Sequence, residues 1–390
     1  MQIAMHASFT FSTVPNLICR TGACDQLGQT ITAQFPHVRR VLIVTDPGFL
    51  ATGLVNAPAS SLEQAGLTVR IFSKVVADPP EAIVLQAAAD ARAQHTELVI
   101  GLGGGSSMDV AKLIAVLAAS NQPLSTMYGI GKVMGSRLPL VQIPTTAGTG
   151  SEVTPISIVT TGATTKMGVV SPLLYADLAI LDACLTVGLP PHVTAATGID
   201  AMVHAIEAYT TRHKKNPLSD ALARQALILI TANLRTACTD GGNLPARQAM
   251  LLGAMLAGQA FANAPCAAVH ALAYPIGGIF HIPHGLSNSL VLPHVLRFNA
   301  PHIHPLYAEL ADLIVPGATG TVEARSAAMI AAMELLALEL GIVTRLRDVG
   351  IVDGDLDQLA DDAMLQTRLL GNNPCEVSRD DARAIYAAAL

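Results

Sequence analysis

The sequence predicts an α/β domain over residues 1–190 joined to an all-helical domain over residues 191–390. Three observations carry this. A chain of 390 residues exceeds what one compact core holds, so two domains are expected. Up to about Asp182, apolar strands alternate with helical stretches, the rhythm of a parallel sheet. After Pro190-Pro191 the strands give way to helical patterns rich in Ala, Leu and Met, without repeats or low-complexity segments.

Residues 8–20 are β-branched and aromatic in character and are expected to form an edge strand or hairpin. Arg40-Val-Leu-Ile-Val-Thr-Asp46 is an apolar strand ending in an acid, as in a parallel strand buried on both faces with its tip at a ligand crevice. Asp46 could accept from a ribose or simply cap a loop. Thr68–Val75 reads as the next strand, Asp78-Pro79-Pro80 as a turn, and Glu81–Gln94 as a helix. Glu97–Gly101 is a third strand, followed at once by Gly103, Gly104, Gly105, Ser106 and Ser107 and by a helix starting near Ser106. Glycines permit close backbone approach, and a helix N-terminus offers unpaired N–H groups to an anion, so this could cradle a diphosphate. A tight turn is the competing reading. Ser106 and Asp109 also have capping-box spacing, and the G-x-G-x-x-G fingerprint fails because Ser106 replaces its third glycine. Leu138–Ile143 is a further buried strand that opens into the hydroxyl-rich Pro144–Glu152 loop, which could line a cofactor cleft. Val153–Thr160, Lys166–Val170 and Ala176–Asp182 continue as strands, with Lys166 a phosphate or ribose contact or a solvated charge.

In the helical half, Asp200 and His204 stand four apart, one face of a helix. His270 closes an apolar run, and His284 follows a Gly277-Gly278 turn expected to fold the chain back. One carboxylate and three imidazoles would suit a first-row divalent ion such as Fe2+ or Zn2+; polar groups on a solvated face are the plainer alternative. The expected architecture is thus an α/β N-terminal nucleotide-binding domain plus an all-α C-terminal metal-binding domain. A cleft between them would bring cofactor and metal together.

Bulk properties exclude several classes. With 51% hydrophobic and 13% charged residues, the chain is no disordered or fibrous protein. Its net charge is −6 and no basic run exceeds Arg39-Arg40 or Lys214-Lys215, so no nucleic-acid partner is expected. Six scattered Cys without a C-x-x-C suit a reducing compartment. The first 15 residues lack Lys, Arg and a long apolar core, so no signal or transit peptide is indicated and the cytoplasm is expected. Gln248–Phe280 is uncharged and long enough for a bilayer, but Gln259, Asn263, Pro265 and His270 interrupt it. A buried helix followed by a turn is expected there, and no membrane partner.

Four motifs in register, Gly103–Lys112, Pro144–Val153, Gly198-x-Asp-Ala-x-x-His-Ala-x-Glu207 and Ile282-Pro-His-Gly285, resemble the iron-containing (group III) alcohol dehydrogenases. The match runs from about Phe11 to the Asn373-Pro374 region. The resemblance implies a dehydroquinate synthase-like fold, NAD as cofactor, a homodimer, and Fe2+, with Zn2+ as a substitute, held by Asp200, His204, His270 and His284. It implies that Asp46 meets the adenosine ribose and disfavours NADP. Gly103 to Ser107 would hold the diphosphate, Thr145, Thr146 and Thr149 would line the nucleotide, and Lys166 would approach its ribose. Asp78 stands where many members have Asn at the adenine. Tyr274 replaces a second His near the nicotinamide, as in some hydroxyacid–oxoacid transhydrogenase-like relatives, and His281 would line the substrate pocket. The expected reaction is hydride transfer between NAD(H) and a small primary alcohol or aldehyde. Transhydrogenase or 4-hydroxybutyrate dehydrogenase-like activity is the alternative within the resemblance. From the N3O set alone, a metal-dependent hydrolase or lyase is the rival.

Overall fold

The computed structural model describes residues 8–162 and 165–390. They divide into two compact units, one of residues 13–189 with 242–252, the other of residues 8–12, 190–241 and 253–390.

In the first unit, strands and helices alternate: β1 (Leu17–Cys19), α1 (Leu27–Gln34), β2 (Arg40–Val44), α2 (Pro47–Ala51), α3 (Asn56–Gln64), β3 (Thr68–Phe72), α4 (Glu81–Ala93), β4 (Leu98–Gly103) and α5 (Gly105–Ala119). Then come β5 (Gly129–Ile130), β6 (Leu140–Pro144), β7 (Ile156–Thr161), β8 (Thr165–Val170) and β9 (Leu178–Leu181). Six strands form one parallel sheet in the order β1-β9-β6-β4-β2-β3. The central strands are Val/Ile/Leu-rich because both faces are covered, and Ile43, Ile100, Ile143 and Ile180 join Leu27 and Leu62 in its core. Pairing of Gly103 with Pro144 aligns the ends of β4 and β6, which brings the glycine loop beside the hydroxyl-rich loop.

One expectation is corrected in this unit, the side-chain cap of α5. Of the two readings of residues 8–20 the edge strand holds: Leu17–Cys19 pairs in parallel with β9 at the edge of the main sheet, and no hairpin forms. The three later strands form as expected: β9 joins the main sheet, while β7 and β8 pair antiparallel and, with β5, make a separate three-stranded sheet. The Ser106/Asp109 capping box does not form. Gly104 is the N-cap of α5 with no side-chain cap, and Asp109 instead accepts from Ser151 Oγ at 2.6 Å and from the Ile158 N–H at 2.8 Å. A tertiary partner outweighs a local one.

The second unit is helical: α6 (Pro191–Thr210), α7 (Pro217–Thr239), α8 (Leu244–Asn263, counted here from Gly253), α9 (Ala268–Phe280), α10 (His284–Ile314), α11 (Val322–Glu339), α12 (Leu356–Met364), α13 (Thr367–Leu370) and α14 (Arg379–Ala389). Pro191 and Pro217 open α6 and α7, where a missing N–H costs nothing. Between Pro301 and Pro305, α10 kinks at Ile303. Helix α6 packs on α7 and α10, and α9 on α10 and α12. A Cβ on Gly285 would come within 2.5 Å of the Ala196 carbonyl oxygen, so glycine is what lets the start of α10 lie against α6. Gly277 and Gly278 do not turn the chain. Both lie buried inside α9, where packing outweighs a helix penalty of about 1 kcal/mol each. The reversal comes at His281, whose φ of 56° is left-handed, just before Pro283. Among the described residues no single helix is long and apolar enough to cross a membrane; α8 and α9 pass that test only as a pair bent by 106°.

Candidate metal centre and nucleotide loop

Three helices of the second unit bring Asp200, His204, His270 and His284 together, with one ligand atom of each within 4.8 Å of all the others. Asp200 and His204 share one face of α6, His270 stands in the first turn of α9, and His284 opens α10. Asp200, His204 and His270 are buried, whereas the His284 side chain is 31% exposed, which gives the cluster an open side. Asp200 Oδ1 lies 3.8 Å from His270 Nε2 and 3.7 Å from His284 Nε2. Burial pushes the Asp200 carboxyl up, but His204, His284, His270 and the Asn288 amide outweigh it and leave it below its ordinary value. The charged carboxylate that a cation needs is therefore the form this pocket favours. The donor set fits a divalent ion: a buried carboxylate oxygen and three imidazoles at mutual ligand spacing.

Side chains that the sequence reading left without a role complete the cage. Glu207 Oε2 lies 2.6 Å from His270 Nδ1 and its Oε1 accepts from the Val269 N–H at 2.7 Å. With the Nδ1–H of His270 donating to that carboxylate, Nε2 is the nitrogen that faces the cluster, the usual outer support of a metal-binding histidine. Phe261 stacks on His204 with centroids 4.3 Å apart, and His204 stacks on His270 at 4.6 Å, so the rings brace one another. The spacing of Glu207, three after His204 on the same helix face, was the signal for it in the sequence. Phe261 gave none. Tyr274, one turn beyond His270 on α9, has its ring 5.9 Å from that of His284. His281 is exposed, and among the described residues no ring contact or hydrogen bond ties it to the cluster.

In the first unit, the ends of β2, β4 and β6 gather the other candidates. Asp46 Oδ1 accepts from the Phe49 N–H at 2.8 Å as the cap of α2, and its Oδ2 is 3.5 Å from where a Cβ on Gly103 would stand. Both readings of Asp46 are thus compatible: it caps a helix and borders the glycine loop. A Cβ on Gly103 would meet Ser107 Oγ at 2.6 Å, and one on Gly105 would meet Thr149 Cγ2 at 2.8 Å. Thr146 stands 3.7 Å from the corresponding point on Gly104, and the Thr145 N–H donates to the Gly103 carbonyl. The first helical bond of α5 runs from the Met108 N–H to the Gly104 carbonyl. The N–H groups of Gly105, Ser106 and Ser107 therefore lie at an uncapped helix start, which favours an anion such as a phosphate. Lys166 is not a free cation: its Nζ pairs with Asp78 Oδ1 at 2.7 Å.

The hydroxyl-rich loop is pinned from behind. Buried Lys112 donates to Ser151 Oγ at 2.7 Å and to the Ile156 carbonyl at 2.6 Å, and the Ser151 hydroxyl donates in turn to Asp109 Oδ1. Beside them Glu152 is 2% exposed, and burial pushes its carboxyl up to about 7, with its own N–H and Lys112 opposing only in part. An acid whose folded pKa is raised favours the protonated fold, so stability should fall as pH rises through the window from about 4.5 to 7 and then level off. Glu152→Gln should abolish that slope and gain up to about 3 kcal/mol over the parent at pH 8, with no gain below pH 4.5. Urea unfolding at pH 4.5, 6 and 8 checks this; parallel pH profiles for the two chains would refute it.

Comparison with known proteins identifies the family. Residues 15–183 match the family model described as iron-containing alcohol dehydrogenase, and residues 194–390 match the model for the C-terminal part of the Fe-containing alcohol dehydrogenase family. Long-chain-alcohol dehydrogenase 1 of Geobacillus thermodenitrificans is 41% identical over 378 residues, covering 95% of this chain and 93% of its own. The crystal structure of a 1,3-propanediol oxidoreductase superposes with a TM-score of 0.94 at 34% identity, covering 98% of this chain and 100% of its own. That of sulfoacetaldehyde reductase from Bifidobacterium kashiwanohense in complex with NAD+ gives 0.88 at 28% identity, with 98% and 99% covered.

Proposed function

The chain belongs to the iron-containing alcohol dehydrogenase family, and from that premise we propose that it moves a hydride between NAD(H) and a small primary alcohol or aldehyde, with Fe2+ held by Asp200, His204, His270 and His284. The observation that carries the proposal is the cage itself, three buried donors and one half-open imidazole converging on one point. Bound there, a divalent ion supplies Lewis acidity to a substrate oxygen. The residues do the rest. Asp200 contributes the negative charge that a buried cation needs, Glu207 fixes the tautomer of His270, and the exposed side of His284 is where substrate enters. Gly103 to Ser107 bind the diphosphate on the start of α5, Thr145, Thr146 and Thr149 line the nucleotide, and Asp46 accepts from the adenosine ribose. Asp78 and Lys166 act there as a neutral pair, since each already satisfies the other's charge. The names of the relatives run from long-chain alcohols to sulfoacetaldehyde, so they support the class of alcohols and aldehydes, and chain length is left to the pocket lining.

The direct test follows absorbance at 340 nm with a panel of primary alcohols, diols and 4-hydroxybutyrate, using protein loaded with Fe2+ or Zn2+. Metal-dependent NADH formation supports the reading, and chelator-resistant or NAD-independent turnover overturns it. A homodimer in the cytoplasm belongs to the same proposal, and light scattering at twice the mass of one chain supports the dimer. Tyr274 is the substrate-side phenol by virtue of its place beside His284. Tyr274→Phe keeps the ring and removes the hydroxyl, so a proton-handling role predicts a kcat loss on the order of 10²-fold with metal content unchanged. His281→Ala, at an exposed turn, is expected to leave kcat close to that of the parent. Equal kcat for Tyr274→Phe and the parent would remove the phenol from the chemistry.

A further inference from the structure

We propose that Asn288 is a positioning residue of the metal cage, its amide N–H fixing the orientation of the Asp200 carboxylate. This rests on the ligand assignment proposed above. Asn288 lies one turn beyond His284 on α10 and is 0% exposed. Its Nδ2 donates to Asp200 Oδ1 at 2.6 Å and stands 3.3 Å from Nε2 of both His270 and His284. The other half of the amide, Oδ1, is buried and has no hydrogen-bond partner among the described residues.

A buried amide that leaves one polar atom unsatisfied costs about 1–3 kcal/mol, whereas a leucine of similar volume would carry no such penalty. Packing therefore does not account for asparagine here, and the donor does. The oxygen it grips is the one that faces the two imidazoles, since Asp200 Oδ1 lies 3.8 and 3.7 Å from their Nε2 atoms. The terminal torsion of an aspartate is broad and weakly restrained, so an oriented donor decides which way the carboxylate points. Glu207 supports His270 in the same manner from its Nδ1 side. The two ligands deepest in the cage thus each have one outer partner. Loss of such a partner typically weakens metal binding 10- to 100-fold.

Co2+ serves as the probe, because its visible spectrum reports ligand geometry as well as occupancy. Asn288→Leu preserves volume and removes the donor, and Asn288→Ala is the second variant should leucine disturb folding. Both are expected to bind Co2+ about 10- to 100-fold more weakly in chelator competition and to shift its visible bands, with the helical circular dichroism of the parent retained. Parent-like affinity and an unchanged spectrum in a folded variant would overturn the role of Asn288. Asp200→Ala separates this from the underlying assignment. If that variant loses Co2+ while Asn288→Leu keeps it, only the positioning role falls. If the parent takes up no stoichiometric Co2+, or Asp200→Ala binds it as tightly as the parent, the ligand set falls and the positioning role with it.

Discussion

Asp200→Ala should purify without stoichiometric metal and lose activity by a factor on the order of 10³ or more. Asp200 is the one anionic member of the four, and a dication left among three neutral imidazoles in a buried site is poorly compensated. Lewis-acid stabilisation of a transition state is worth several kcal/mol, and each 1.36 kcal/mol is about tenfold in rate. The glycine loop is untouched by the change, so NADH binding, read by the fluorescence of the bound nucleotide in a chain without Trp, should persist. Elemental analysis and turnover at 340 nm measure the two effects separately. Full activity of the variant in the presence of chelator would remove the metal from the mechanism.

Asp46→Gly should relax nucleotide selectivity, lowering the NAD/NADP ratio of kcat/KM on the order of 10- to 100-fold. A 2′-phosphate next to a carboxylate sets like charges together at a cost of several kcal/mol, which the substitution relieves. Glycine is the informative replacement because Asp46 also caps α2 through the Phe49 N–H. Glycine at an N-cap costs only a few tenths of a kcal/mol, whereas alanine costs about 1, so stability and selectivity are read apart. A ratio that does not move would show that the ribose is read elsewhere. Gains confined to low salt would point to diffuse charge in place of contact.

The parallel sheet was legible because burial on both faces writes itself as uninterrupted apolar runs, as in Val41 to Val44 and Leu98 to Leu102. Asp200 and His204 were legible because helical spacing is local. His270 and His284 joined the set on donor chemistry and the motif resemblance supported it, since they reach Asp200 only through the packing of α6, α9 and α10. What misled was also local. Gly277-Gly278 resembles a turn, yet the apolar face of α9 holds it in a helix, and the reversal fell to His281. Ser106 and Asp109 have capping spacing, yet Ser151 and Ile158, remote in sequence, claim the carboxylate. The Lys166–Asp78 pair joins positions 88 residues apart, and only the fold could reveal that a charge expected to be free is already neutralised. Asn288 was overlooked because a buried amide, seen as a letter in a helical pattern, resembles a minor blemish in an apolar face.

Asp200, His204 and Glu207 sit on a single continuous helix, so two donors and the carboxylate steadying a third move as one rigid body. His284 is instead the first residue of its helix, behind Pro283 and a left-handed corner. Two of the proposed ligands thus share one frame, while His284 is set separately by its own corner. Substitutions at residues 281–285 are therefore expected to shift His284 alone, whereas changes in α6 would disturb two proposed ligands at once.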